Sequence, residues 1–94
     1  MKLVRDKFPF IIEQSGKACK YHFANYDEYR ARLYEKMREE LDEFIEAPSY
    51  EEAADMWEVF TTICELHQLD LNHVKSTALE KERKRGAFKD RIVL

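Results

Sequence analysis

The stretch EELDEFIEAPSYEEAAD, residues 39–55, decides the fold because it carries two helical patterns on either side of a proline turn. Apolar residues recur at three- and four-residue spacing through both halves, which predicts an antiparallel helical hairpin. The same stretch contains eight acidic side chains. Like charges at this spacing repel one another on a helix, so their concentration here requires an explanation.

The helical pattern extends outward from the turn in both directions. Asn25, followed by Glu28 three residues later, matches a helix start, and the apolar spacing then continues as far as Ala47. On the other side, SYEE at residues 49–52 matches the capping box S-x-x-E. It predicts a second helix that ends near Gln68.

Two further helices are predicted outside the hairpin. LVRDKFPFIIEQSG, residues 3–16, is typical of a short helix because Pro9 suits a first turn and the final glycine supplies a stop. Asp70 or Asn72 can cap a last helix, which we expect to end at Gly86.

The predicted fold class is mainly α, with the antiparallel hairpin forming a four-helix-bundle-like core. A chain of 94 residues fits a single domain over residues 1–94, and its small core favours completion by oligomerisation. ACKYHFA, residues 18–24, and the tail AFKDRIVL, residues 87–94, could be short terminal strands that pair with each other.

Composition restricts the classes of function. The net charge of -3, from 16 basic and 19 acidic residues, argues against binding to a nucleic-acid polymer. Cys19 and Cys64 lie far apart and outside zinc-ligand spacing, so we expect reduced thiols. The early apolar run at residues 8–12 is too short for a signal peptide or a membrane span. We therefore expect a cytoplasmic protein without a membrane partner.

Four of the acids fall where the helical pattern calls for core or core-edge residues. At roughly 100° per residue, Glu40 lies inside the apolar stripe of the first long helix and Glu43 lies on its edge. In the second helix, Glu52 lies inside the stripe and Asp55 on its edge. In an antiparallel hairpin, residues equidistant from the turn lie at the same height along the helix axes. This places Glu43 level with Glu52, and Glu40 level with Asp55. We expect these four carboxylates to converge on one side of the hairpin.

Close carboxylates in a partly dry site cannot all stay ionised without a counter-charge. A divalent cation would supply it, and hard oxygen ligands favour Mg²⁺, Mn²⁺ or Ca²⁺. An incomplete protein shell is typical of Mg²⁺ that is bound jointly with phosphates. The competing interpretation is a solvated face paired with Lys and Arg, which we prefer for Glu39, Asp42, Glu46 and Glu51.

These acids resemble the signature of the MazG-like all-α nucleoside triphosphate pyrophosphohydrolases, E-E-x-x-E followed by E-x-x-D. The two parts stand here as EELDE at residues 39–43 and EAAD at residues 52–55. The opening KLVRDK, residues 2–7, and the late KRGAF, residues 84–88, also look like the short members of this family, described as house-cleaning phosphatases of noncanonical nucleotides.

The resemblance implies Mg²⁺-dependent hydrolysis of a nucleoside triphosphate between its α and β phosphates, with Mn²⁺ as an alternative metal. The products would be the monophosphate and pyrophosphate, and the substrates noncanonical or excess nucleotides. A homodimer or homotetramer would pair the hairpins of its subunits. The implied metal ligands are Glu40, Glu43, Glu52 and Asp55, and the implied catalytic residues are Glu39 and Glu40. The implied phosphate ligands are Arg5, Lys7, Lys84, Arg85 and Lys89.

The chain departs from the family pattern in two places. Only eight residues separate Glu43 from Glu52, and Ala87 stands where a second glycine is expected. The short spacer supports an alternative function, a non-catalytic nucleotide-binding or helical interaction protein on the same scaffold. A third hypothesis is an oligomeric helical module whose acids pair with Lys and Arg across a subunit interface.

Overall fold

A computed structural model describes all 94 residues, which form four α-helices and no β-strand. The helices are α1 (Phe8–Gln14), α2 (Tyr26–Glu46), α3 (Tyr50–Leu66) and α4 (Leu71–Arg85). This confirms the mainly α fold class. The contacts divide the chain into two compact units, Met1–Ile63 and Cys64–Leu94. None of the four helices combines the length and apolar character that crossing a membrane would require.

The long helix α2 begins where its cap predicts. The side-chain Oδ1 of Asn25 accepts a hydrogen bond from the backbone N–H of Glu28 at 2.9 Å. This bond satisfies one of the N–H groups that a helix start leaves without a partner. The helix ends at Glu46, two residues before Pro48, because the position before a proline disfavours the helical conformation.

Helix α3 begins at the predicted capping box and pairs with α2 as a hairpin. The backbone N–H of Glu52 donates to Oγ of Ser49 at 3.1 Å. Between the two helices, Leu33 of α2 is only 2% exposed and Val59 of α3 is 9% exposed. These two apolar residues and Glu40, described below, are the buried residues of the first unit.

The N-terminal helix α1 occupies residues 8–14 of the segment 3–16 in which a short helix is predicted. It begins at Phe8 and places Pro9 in its first turn, as the sequence predicts. A helix that began at Leu3 would place this proline in the helix interior, where the ring removes a hydrogen bond and clashes with the preceding turn. Residues 1–7 therefore form an irregular segment.

In the second unit, the end of α3 leads into α4 through a left-handed residue. Gln68 has φ 57°, its N–H donates to the carbonyl of Glu65, and the N–H of Leu69 donates to the carbonyl of Cys64. These two bonds form a Schellman motif, which satisfies the last carbonyls of a helix. Asp70, rather than Asn72, then caps α4 by accepting from the N–H of His73 at 3.0 Å.

The predicted terminal strands do not form. Residues 18–24 and 87–94 contain neither a strand nor a bridge. A strand needs a paired neighbour to satisfy its backbone groups, and an isolated two-stranded pairing is marginal in water. The prediction of short terminal strands is therefore wrong.

Candidate metal centre

The acids of the first unit differ sharply in their burial. Glu40 lies on the inner side of α2 and is only 4% exposed, as the helical pattern predicts. Glu52 and Asp55 on α3 are half-buried, and so is Glu39. Glu43, on the edge of the stripe, is exposed. The hairpin therefore removes one carboxylate from water almost completely and partly covers three others.

The carboxylates form two groups that share Glu40. Glu40, Glu52 and Asp55 each offer an oxygen within 4.8 Å of the others, and so do Glu39, Glu40 and Glu43. All of these donors are carboxylate oxygens, the ligands that Mg²⁺, Mn²⁺ and Ca²⁺ prefer. Glu40 is thus the centre of an arrangement that could hold a hard divalent cation.

Glu43 and Glu52 were predicted to face each other at one height, but they do not belong to the same group. Glu43 is exposed on α2, whereas Glu52 is half-buried on α3 and its Oε2 is buried, so the two residues differ in environment. Three of the four predicted metal ligands therefore come together as one group, and Glu43 joins Glu39 and Glu40 on its neighbouring side.

Two carboxylate oxygens in the first group have no hydrogen-bond partner. Oε2 of Glu40 and Oε2 of Glu52 are both buried and unsatisfied. An unpaired buried oxygen of this kind is costly and is rare in folded proteins, unless an ion or a water fills the place. Two such oxygens from facing helices are the feature of this chain that best fits a bound cation.

The environment of Glu40 disfavours its charge. Burial raises the pKa of its carboxyl, and the neighbouring charges of Glu43 and Asp55 raise it further. Lys36, one helical turn earlier, opposes this shift because its Nζ lies 3.3 Å from Oε1 of Glu40. The lysine satisfies only one of the two carboxylate oxygens.

Two cationic side chains of the irregular N-terminal segment form ion pairs with acids of these two groups. Nη2 of Arg5 lies 2.7 Å from Oδ1 of Asp55, and Nζ of Lys2 lies 2.9 Å from Oε1 of Glu39. The hydrogen bond from Lys2 lowers the pKa of the Glu39 carboxyl. Arg5 was predicted to bind substrate phosphate, but here it holds a predicted metal ligand.

The other predicted phosphate ligands are exposed. Lys7 directly precedes α1 in the first unit. Lys84 and Arg85 end α4 in the second unit, where Nζ of Lys84 lies 3.3 Å from Oε1 of Glu80, and Lys89 follows in a turn. Their role in binding phosphate stays a prediction.

The sequence did not predict three ion pairs between cationic side chains and acids of the two carboxylate groups. Lys36 stands four residues before Glu40, a spacing that brings side chains together on a helix, so its role was open to prediction. The contacts of Lys2 and Arg5 join residues 37 and 50 positions apart. No local pattern indicates contacts at that separation.

No family model, no curated protein and no solved structure matches this chain. The resemblance to the MazG-like pyrophosphohydrolases therefore stays a prediction from the motifs.

Proposed function

We propose that this protein is an Mg²⁺-dependent nucleoside triphosphate pyrophosphohydrolase that acts on noncanonical or excess nucleotides. One observation carries the proposal: two unsatisfied, buried carboxylate oxygens, from Glu40 and Glu52, lie in one group with Asp55. The acidic motifs supply the reaction class, because they resemble a family whose members cleave between the α and β phosphates. Mn²⁺ has the same ligand preference and is an alternative metal.

Glu40, Glu52 and Asp55 would hold the cation, with Glu43 at the edge of the site. When bound, Mg²⁺ would neutralise phosphate charge and acidify water. The chain positions these ligands on two paired helices, so their separation is set by the packing of the hairpin. A rigid arrangement of this kind lowers the cost of orienting a flexible triphosphate.

The proton of the attacking water requires an acceptor. Glu39 lies beside Glu40 and is half-buried, and its carboxylate is kept ionised by Lys2. It would accept the proton as the water oxygen bonds to the α-phosphorus. The bond from the α-phosphorus to the bridging oxygen then breaks, and pyrophosphate leaves with the bonding electron pair.

A triphosphate carries more negative charge than one divalent cation neutralises. We propose that Arg5 and Lys7, which lie in the same unit as the acids, bind the phosphates. Guanidinium groups bind phosphate oxygens in a bidentate manner, and ammonium groups act as point charges.

Pyrophosphate release tests the proposal directly. The purified protein, incubated with Mg²⁺ and a panel of standard and noncanonical nucleoside triphosphates, should release pyrophosphate and the monophosphate from at least one of them. Chelation of the metal should stop the reaction. If no triphosphate is cleaved with either Mg²⁺ or Mn²⁺, the enzymatic function is wrong.

The side of the hairpin away from the acids supports self-association. Leu41 and Ile45 of α2 are 42% and 67% exposed, and Trp57 and Phe60 of α3 are 49% and 39% exposed. At helical spacing, each pair lies roughly opposite the acids of its own helix. We call these four residues the apolar side. They would pack against a second copy of the same hairpin and complete a four-helix core in a homodimer or homotetramer.

A charge on the apolar side should dissociate the assembly. We expect Ile45→Lys to weaken self-association by about 30-fold, or about 2 kcal/mol, because the interface would have to bury an unpaired ammonium. Sedimentation velocity of the wild type and the variant measures the change. Leu79→Lys, at a position 68% exposed on α4, is the matched control and should leave the assembly intact. A monomeric wild type at micromolar concentration would contradict the proposed interface.

The ion pairs at the acids favour a second candidate function. Lys2, Arg5 and Lys36 each contact one of the acids of the cluster. In a non-catalytic helical scaffold, these cations would neutralise Glu39, Asp55 and Glu40 without a metal ion. The three ion pairs lie within one chain rather than across a subunit interface. This candidate predicts neither stabilisation by Mg²⁺ nor pyrophosphate release.

A further inference from the structure

Arg5 and the predicted metal ion require the same carboxylate. Oδ1 of Asp55 lies 2.7 Å from Nη2 of Arg5, and Oε1 of Glu58 lies 3.8 Å from its Nη1. Asp55 also belongs to the group formed with Glu40 and Glu52, where two buried oxygens lack a partner. A cation bound by this group would be attracted to the same negative charge and would repel the guanidinium, so it would compete with Arg5 for Asp55.

A divalent cation should bind Asp55 more strongly than Arg5 does. Arg5 and Asp55 are 61% and 39% exposed at their side chains, and exposed ion pairs of this kind are weak. A divalent cation carries twice the charge of a guanidinium, and it would bind where Glu40 is almost fully buried and electrostatic interactions are strong. The metal should therefore displace the arginine.

The backbone keeps a displaced Arg5 beside the site. Its carbonyl accepts a hydrogen bond from the N–H of Phe8 at 3.0 Å, which ties the residue to the start of α1. The side chain alone can then turn from Asp55 towards an anion in front of the acids. A guanidinium is suited to both partners, because its planar donors match carboxylate and phosphate alike.

We propose that Arg5 is an exchangeable counter-ion: it holds Asp55 in the metal-free protein and passes to a phosphate oxygen of the nucleotide once a divalent cation takes its place. This inference rests on the proposed function and adds a coupling between the two ligands. Metal binding would release Arg5 to bind phosphate. In the metal-free protein, the Arg5–Asp55 pair would therefore weaken the binding of both the metal and the phosphate.

Replacement of Arg5 should therefore change the two affinities in opposite directions. Arg5→Gln removes the competitor of the metal, and we expect Mn²⁺ alone to bind about two- to fivefold more tightly. With Mn²⁺ saturating, the same variant should bind inorganic triphosphate about tenfold more weakly, because a charge-assisted hydrogen bond is lost. A residue with a purely structural role would weaken both.

Calorimetric titration of the full-length protein measures both constants without turnover. Mn²⁺ is titrated into metal-free wild type and Arg5→Gln, and inorganic triphosphate is then titrated into each with Mn²⁺ present. Arg83→Gln is the matched control, since it also removes one positive charge and breaks an exposed ion pair, with Glu80 at 2.8 Å. Its affinity for Mn²⁺ should equal that of the wild type.

If Arg5→Gln binds Mn²⁺ no more tightly than the wild type does, the proposed exchange is wrong. It is also wrong if the variant binds triphosphate no more weakly than the wild type does. If the wild type binds Mn²⁺ and releases pyrophosphate, that result leaves the proposed function standing. A wild type that binds no Mn²⁺ at all overturns both the exchange and the metal site.

Discussion

Glu40→Gln should abolish nucleotide hydrolysis while the protein stays folded. Glu40 is shared by both carboxylate groups and provides one of the two buried oxygens without a partner. We expect the rate of pyrophosphate release to fall at least about 100-fold, because even residues that only orient metal ligands contribute about 10- to 100-fold. Glu52→Gln, which neutralises the facing unpartnered oxygen, should have a similar effect.

The stability of the metal-free variant separates this prediction from simple unfolding. Burial raises the pKa of Glu40, so the folded state binds its proton more tightly than the unfolded state does. The contribution of this group to the free energy of unfolding is therefore favourable at low pH and is lost as pH rises through the folded pKa. Gln carries no charge, so the metal-free variant at neutral pH should melt no lower than the wild type.

Glu46→Gln is the matched control for Glu40→Gln. Glu46 lies on the same helix, is exposed and belongs to neither carboxylate group. Its replacement should leave both the rate and the melting temperature within error of the wild type. Near-normal hydrolysis by Glu40→Gln or Glu52→Gln would remove the metal site from the mechanism.

Mg²⁺ should stabilise the wild type strongly. A ligand that binds only the folded state at one hundred times its Kd adds about 2.7 kcal/mol. For a chain of 94 residues, this corresponds to a rise in Tm of roughly 10–20 °C. Thermal denaturation with and without MgCl₂, at matched ionic strength, measures the shift, and EDTA should reverse it.

The stabilisation by Mg²⁺ should also depend on pH. The cation binds the ionised carboxylate, and the raised pKa of Glu40 means that this group takes up a proton earlier than an exposed glutamate as pH falls. We therefore expect the Mg²⁺-induced rise in Tm to shrink as pH decreases through the raised pKa. Glu40→Gln should show little shift at any pH. A wild type insensitive to Mg²⁺ would favour the non-catalytic scaffold.

The helices of the hairpin could be predicted from sequence because their signals are local. Asn25 and Ser49 cap helices through residues three positions ahead, and the burial of Glu40 follows from its place in a repeating apolar stripe. Each of these features depends only on neighbours within two helical turns. Their chemistry is therefore contained in a short window of sequence.

The features that could not be predicted depend on contacts between distant parts of the chain. The pairing of Arg5 with Asp55 joins residues 50 positions apart, and only the folded hairpin brings them together. The terminal strands failed for the same reason, since residues 18–24 have a suitable pattern but no neighbouring strand. The start of α1 is different: Pro9 already carried the information, and it limits the helix to Phe8 onward.

The exposure of the Arg5–Asp55 pair affects how quickly the site could respond to its ligands. The two side chains are 61% and 39% exposed, so Arg5 can leave Asp55 by rotation of its own side chain, without a change in the backbone. Rotamer changes of exposed side chains take picoseconds to nanoseconds, whereas local unfolding takes microseconds or longer. Cation entry should therefore be limited by dehydration of the ion rather than by motion of the protein.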